Sequence, residues 1–255
     1  MSKITLVVPS YGGGPNIERT IASVSGVCDE VVIVSTALFP EDVDHFKKIA
    51  NKVVELPWNF VFLHGYGSLN NQGTAVSSND WLLLFGTGET LAEQYRDMKS
   101  LTASRAQTVF RCNHVNDPYT WKRMWNRQSG SHWSGIIHEE IVQGVDGGVV
   151  FRMQDTDKSP RENKLQQDAM RWVKALSYNH LYHELILRPE RVGGASHQWL
   201  KFVAGAREYI EKFVSDHNDM MQHCLTGDLG AFLAAVEKRG AGAGESLVSH
   251  QPQGS

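Results

Sequence analysis

The chain has 255 residues, with 25 Lys and Arg against 28 Asp and Glu, a net charge of −3 and 41% hydrophobic residues. That length fits one large domain or one domain with an appendage, and a chain of this size buries roughly 70–75% of its unfolded surface without help from disulfides. A charged share of 21% and a near-balanced charge exclude a disordered chain and a wholly basic nucleic-acid binder.

In chain order, Ile4 to Pro9 is a short apolar run, the pattern of a strand buried on both faces. Ser10 to Asn16 follows as a loop, with three consecutive glycines and Pro15, and Ile17, Ile21 and Val24 then recur at helical spacing. Val31–Val34 predicts a second buried strand, residues 41–50 a helix, Lys52–Leu56 a third strand and Asp80–Phe85 a fourth. Strands alternating with helices predict βαβ units and a mainly parallel sheet, whose ligands bind beyond the carboxyl ends of the strands. Those ends carry Pro9, Ser10 and Tyr11; Ser35 and Thr36; and Gly86, Thr87, Gly88 and Glu89.

The second half reads differently. Residues 108–111, 119–127 and 149–153 predict strands, and beyond Ser159–Pro160 a 3.6-residue apolar rhythm predicts helices. One helix holds Leu165, Trp172 and Leu176, a second holds Trp199, Val203 and Ile210, and a short last one spans residues 228–238. The expected division is a nucleotide-binding and catalytic domain over 1–155, a helical C-terminal region over 156–239 and a disordered tail over 240–255, with the helices available for self-association. Cys28, Cys112 and Cys224, odd in number and far apart, predict reduced thiols in a cytoplasmic protein. No apolar run approaches the ~18–20 residues of a membrane span, and the chain opens into a strand pattern instead of a signal-peptide pattern.

Ile4-Thr5-Leu6-Val7-Val8-Pro9-Ser10-Tyr11 with Asn16–Val24, the Asp29–Val34 strand, Asn71 nine residues before Asp80-Trp81-Leu82-Leu83-Leu84-Phe85, and Ile136-Ile137-His138-Glu139 occur in an order that resembles the family 2 inverting glycosyltransferases of the GT-A fold. The last element resembles the branch of lipopolysaccharide-core glucosyltransferases. The resemblance covers about residues 3–145. It implies a Rossmann-like α/β sheet flanked by helices, a nucleotide-sugar donor (a UDP-sugar foremost) and transfer to an acceptor hydroxyl with inversion. It also implies donor contacts from Pro9, Ser10, Tyr11, Ser35, Thr36, Asn71, Gly86, Thr87, Gly88 and Glu89, with Tyr11 stacking on the base. Glu139 is the implied general base and Glu140 its alternative; His138 contacts the diphosphate or a metal.

Two acidic features of the family pattern are absent. The Asp-x-Asp that holds Mg2+ or Mn2+ is replaced by Gly86-Thr87-Gly88, and the base-recognising Asp by Ser35. Three arrangements follow. The enzyme is metal-independent and stabilises the diphosphate with cationic side chains and amides. It retains a metal through Glu89, His138 and the donor phosphates. Or it is a non-catalytic nucleotide- or sugar-binding module. Trp121, Arg123, Trp125, Arg127 and Trp133 form an expected acceptor platform, since aromatic faces pack on sugars and arginines grip anions. The acceptor class is open: a glycan, or nucleic acid, which the same residue types bind. His180 and His183, an i,i+3 pair, lack the further ligands a zinc site needs.

Overall fold

The computed structural model describes residues 2–12, 15–115, 117–136, 139–155, 164–189, 201 and 203–240. The expected tail over 240–255, apart from Gly240, lies outside them, as do His138, Trp199 and Leu200. The architecture is α/β. The chain divides into two compact units, one drawn from Met1–Leu56, Leu69–Ser134 and Glu140–Pro160, the other from Pro57–Ser68, Gly135–Glu139 and Arg161–Ser255.

The first unit is built on an eight-stranded sheet. Its strands are β1 (Ile4–Ser10), β2 (Glu30–Ser35), β3 (Lys52–Glu55), β4 (Trp81–Leu84), β5 (Glu89–Gln94), β6 (Thr108–His114), β7 (Asp117–Asn126) and β10 (Val145–Asp155), while β8 (His132–Ser134) and β9 (Glu140–Val142) form a separate antiparallel pair. The order across the sheet is β3-β2-β1-β4-β7-β6-β10-β5. β3, β2, β1 and β4 are mutually parallel, β7 runs antiparallel to β4 and β6, β6 and β10 are parallel, and β5 closes the edge antiparallel to β10. Chain order reverses at β1, which lies between β2 and β4, so the switch point where such sheets bind ligands is the carboxyl end of β1 and β4.

β1 is buried on both faces, which is why its sequence is a continuous apolar run. Ile4, Leu6 and Val8 join Ile17 and Val24, around α1 (Pro15–Ser23), in one core with Ile33, Phe46, Trp81, Leu83 and Phe85. On the opposite face Val7 and Val34 meet Gly73: a Cβ there would stand 2.4 Å from Val7 Cγ1 and 2.8 Å from Val34 Cγ2. Gly73 belongs to α3 (Phe60–Val76), so glycine is what lets this helix lie directly on the sheet. α2 (Pro40–Ile49) starts with proline and two acids, Glu41 and Asp42, and ends with Lys47 and Lys48, each suited to its end of the helix dipole. A short α4 (Met98–Leu101) is capped by Asp97, whose side chain accepts from the Lys99 amide.

Beyond residue 160 the described residues of the second unit are mainly helical. α5 (Lys164–Leu187) buries Trp172, Val173, Leu176 and Leu181. It packs with α6 (Arg207–Asp216) and α8 (Leu229–Arg239), and α7 (Asn218–Thr226) packs beside α8. The Asp228 side chain caps α8 by accepting from Ala231 N–H at 2.9 Å. Trp58 and Asn59 are tied to this bundle: Trp58 Nε1 donates to Gly227 O at 3.2 Å and Asn59 Nδ2 to Cys224 O at 2.7 Å. His180 is stacked flat on Phe62, ring centroids 4.0 Å apart, as a packing residue.

Candidate functional site

The carboxyl ends of β1, β2 and β4 bring three loops together in the first unit. At β1, Ser10 Oγ donates to Gly12 O at 2.9 Å and accepts from Gly12 N–H at 3.3 Å, closing a tight turn under the half-buried Tyr11. At β2, Thr36 N–H donates to Ser10 O at 2.9 Å and Ser35 Oγ accepts from Ala37 N–H at 3.2 Å. Ser35 and Thr36 are both buried, so their hydroxyls shape the strand ends from within.

At β4 the turn Gly86–Glu89 closes with Glu89 N–H donating to Gly86 O at 3.0 Å. Gly88 takes φ +94°, in the left-handed region that favours glycine. Thr87 Oγ1 donates to Pro9 O at 3.2 Å, and Gly88 N–H donates to Thr20 Oγ1 at 3.0 Å, which pins the turn to β1 and α1. The Glu89 carboxylate folds back on its own turn. Oε2 accepts from Gly86 N–H at 2.5 Å and Oε1 from Arg123 Nη2 at 2.9 Å. Arg123 is buried, and its guanidinium lies 5.5 Å from the centre of the Trp121 ring, so Trp121, Arg123, Glu89 and Gly86 form one connected chain. Cys112 lies under this group; burial foremost, with Glu89 adding, pushes its thiol up to about 11 against the pull of Arg123. Beside Glu89, directly opposite it in the β5–β10 register, stands Asp155, 3.5 Å from His114 Nε2. Nothing in the sequence pattern marks His114 or Asp155. The pairing of β5, β10 and β6 alone brings them to this edge.

Glu89 does not fit the divalent cation that the family resemblance implies. Both of its oxygens are already engaged, and among the described residues no group of three or more His, Cys, Asp or Glu is arranged to hold a metal. The expected second ligand, His138, lies outside the described residues.

The expected acceptor platform comes apart. Trp121 is 42% exposed, whereas Trp125 on β7 and Trp133 on β8 are buried, packed edge-to-face with centroids 5.5 Å apart. Arg127 is at the far end of the sheet. It donates through Nε to Asp80 Oδ1 at 3.2 Å and through Nη1 to Ser77 O, beside the amino end of β4. Period two places alternate residues from 121 to 127 on one strand face, but six residues of strand span about 20 Å, so Trp121 and Arg127 stand toward opposite ends of β7. Asn71 is also not free to hold a donor. Its Nδ2 donates to Trp133 O at 2.8 Å and its Oδ1 accepts from Trp133 N–H at 3.0 Å, which ties β8 to α3.

Of the two candidate bases, Glu140 lies on β9, its carboxylate 3.8 Å from Lys122 Nζ. Glu139 belongs to the second unit and is half-buried near Tyr178, whose hydroxyl is pushed up by burial first and by the Glu139 charge next, while a hydrogen bond with Tyr66 opposes both.

No protein-family model matches the chain. It is similar to an uncharacterized glycosyltransferase of Rickettsia bellii, 28% identical over 163 residues, covering 56% of this chain and 54% of the relative. A second such protein, of Rickettsia felis, is 27% identical over 97 residues, 38% of this chain and 32% of the relative. The chain thus spans about half the length, or less, of the curated relatives it matches. Among solved structures, Staphylococcus aureus TarS 1–349 aligns at 11% identity over 93% of this chain and 91% of that one, with a TM-score of 0.38. Glucosyl-3-phosphoglycerate synthase from Mycobacterium tuberculosis, solved with Mn2+, UDP and glucosyl-3-phosphoglycerate, aligns at 12% identity over 77% and 82%, with a TM-score of 0.44. No helix among the described residues is long and apolar enough to cross a membrane.

Proposed function

We propose that the chain is an inverting glycosyltransferase of the GT-A type that takes a nucleotide-sugar donor at the β1–β4 switch point and uses Arg123, in place of a divalent cation, to stabilise the departing diphosphate. The carrying observation is the Glu89–Arg123 pair at 2.9 Å, on the turn where the resembling family places its metal ligands. The names of the Rickettsia relatives support the same reaction class. Tyr11 packs on the base, with Pro9, Ser10, Ser35 and Thr36 shaping that pocket. The Gly86–Gly88 turn lies close to the phosphates, where a fixed guanidinium and oriented amides stabilise developing charge. Trp121 is the tryptophan left exposed among the described residues, and it receives the apolar face of a sugar.

The base is Glu139, assigned from its place in the Ile136–Glu139 element. It accepts the proton of the acceptor hydroxyl as that oxygen bonds to the anomeric carbon. The bond from that carbon to the diphosphate oxygen breaks with its electron pair leaving on the nucleoside diphosphate.

Purified protein incubated with UDP-, GDP- and ADP-sugars, with EDTA or with Mg2+ or Mn2+, is expected to release nucleoside diphosphate in EDTA at a rate within a few-fold of that with metal. Arg123→Met should lower turnover about 100-fold, the scale for losing one fixed donor to a developing anion. Turnover abolished by EDTA sinks the role of Arg123. Absence of both turnover and calorimetric binding for every donor sinks the whole reading. Donor binding without turnover, unchanged by Glu139→Gln, favours the non-catalytic module.

A further inference from the structure

α3 runs from Phe60 to Val76 but is broken at Gly65, where φ is +79° and ψ 173°. A helix that restarts exposes a fresh N-terminus, whose first N–H groups have no partner within the helix. Here the two N–H groups after the break are both taken by one passing segment: Tyr66 N–H donates to Ile136 O at 2.9 Å and Gly67 N–H to Gly135 O at 3.2 Å. The approach is close enough to require glycine. A Cβ on Gly65 would stand 2.4 Å from Ile136 O, 2.5 Å from Ile136 Cα and 2.8 Å from Ile136 C, all backbone atoms with nowhere to turn. Three residues beyond Ile136 comes Glu139. Tyr66, whose amide holds Ile136, also carries its ring 5.6 Å from that of Tyr178, the residue that feels the Glu139 charge.

We propose that Gly65 is a positioning residue for the general base: the break it makes in α3 frees two amides that seat the Gly135 and Ile136 carbonyls, and this seat sets where the Glu139 carboxylate stands. The proposal rests on the assignment of Glu139 as base. Glycines inside helices normally weaken them, so a break whose two freed donors meet one loop is accounted for by what it holds and not by helix stability.

The test uses amide exchange by NMR, donor affinity by calorimetry with UDP-glucose as the first probe, and turnover. In the unaltered protein the Tyr66 and Gly67 amides are expected to be protected well beyond the first-turn amides of a free helix end. In Gly65→Ala that protection falls at least tenfold and kcat falls about 100-fold, the scale of a misplacement near 1 Å. Donor Kd stays within twofold, a split that a general loss of structure would not give. Leu63→Ala, at an exposed position of the same helix, leaves all three unchanged. Unprotected Tyr66 and Gly67 amides in the unaltered protein overturn the proposal, and that measurement decides should Gly65→Ala fail to fold. Lost protection with kcat retained also overturns it while leaving the glycosyltransferase reading intact. A protein that turns over no donor at all removes that reading and the base with it, and the exchange data then show separately whether the loop is seated on the break.

Discussion

Replacing Glu30 with Gln should cost the fold about 2 kcal/mol at neutral pH and almost nothing in strong acid. Glu30 is buried at the amino end of β2, where three donors converge on its carboxylate: Thr5 Oγ1 at 2.6 Å, Ser78 N–H at 2.8 Å and Lys52 Nζ at 3.0 Å. Burial alone pushes this carboxyl up, but the hydrogen bonds from Thr5, Ser78 and Lys52 outweigh it and hold the group at about 2, against an ordinary 4.5. At 1.36 kcal/mol per pH unit that difference corresponds to about 3.4 kcal/mol, and the partly exposed Lys52 screens it to about 2. Since the folded value lies below the unfolded one, the stabilisation is fully present above about pH 5 and is lost as pH falls through 4.5 toward 2, with more than half gone by about pH 3. Gln keeps an acceptor for Thr5 and Ser78 but sets an NH2 against Lys52, so the variant lacks this pH-dependent share. The assay is urea unfolding followed by tryptophan fluorescence, variant against parent, at pH 7 and about pH 3. With a slope of about 3 kcal/mol/M for a chain of this size, the midpoint should drop by about 0.7 M at pH 7 and by less than half of that at the lower pH. A gap that is the same at both pH values would refute the charge-based account of Glu30.

Gly73→Ala should destabilise the protein by about 1–3 kcal/mol in the same unfolding assay, because the added methyl overlaps Val7 and Val34 on the buried face of β1 and β2; a cost below 0.5 kcal/mol would mean that α3 does not rest on the sheet at this point. The three thiols should resist alkylation at about pH 8 in the folded protein and label rapidly in urea, since burial foremost holds Cys28 and Cys224 at about 12 and Cys112 at about 11, leaving almost no thiolate. Fast labelling of the buried Cys112 or Cys224, or of the half-buried Cys28, in the native state, read by mass spectrometry, would refute this expectation.

The strands were legible because β1, β2 and β4 are buried on both faces, and burial on both faces writes itself into the chain as continuous apolar runs such as Ile4–Pro9 and Trp81–Phe85. α3 was not legible. Gly65, Gly67 and Gly73 interrupt its pattern, and two of these have structural reasons, the loop crossing at Gly65 and the sheet contact at Gly73, that exist only once the chain is folded. The site was legible by halves. The strand-end loops could be placed from the alternation of strands and helices, but contacts over long separations could not: Asn71 meets Trp133 across 62 residues and Glu89 meets Arg123 across 34. The Trp121–Arg127 cluster misled for a geometric reason, since a strand's period reports which face a residue takes and says nothing of how far along the sheet it stands.

The Gly86-Thr87-Gly88 turn at the end of β4 and the single acid that follows it, Glu89, make one electrostatic arrangement. A lone carboxylate on a half-buried turn is costly unless a cation or several donors face it. Glu89 meets both needs from within the chain, through Arg123 and the Gly86 amide. In a site with several acids, that cation can be an exchangeable ion; with one acid remaining, a tethered guanidinium suffices and leaves the turn nearly neutral. The consequence under the proposed function is thermodynamic. A tethered cation cannot be removed by chelation or titrated by metal supply, so donor affinity should follow ionic strength instead of metal concentration. Because Arg123 also lies over Trp121, any ligand group that draws the guanidinium from Glu89 shifts the floor under that ring. Diphosphate arriving on one side of Arg123 and sugar stacking on Trp121 on the other are then linked through a single side chain, and binding of each should alter the affinity of the other by the same factor.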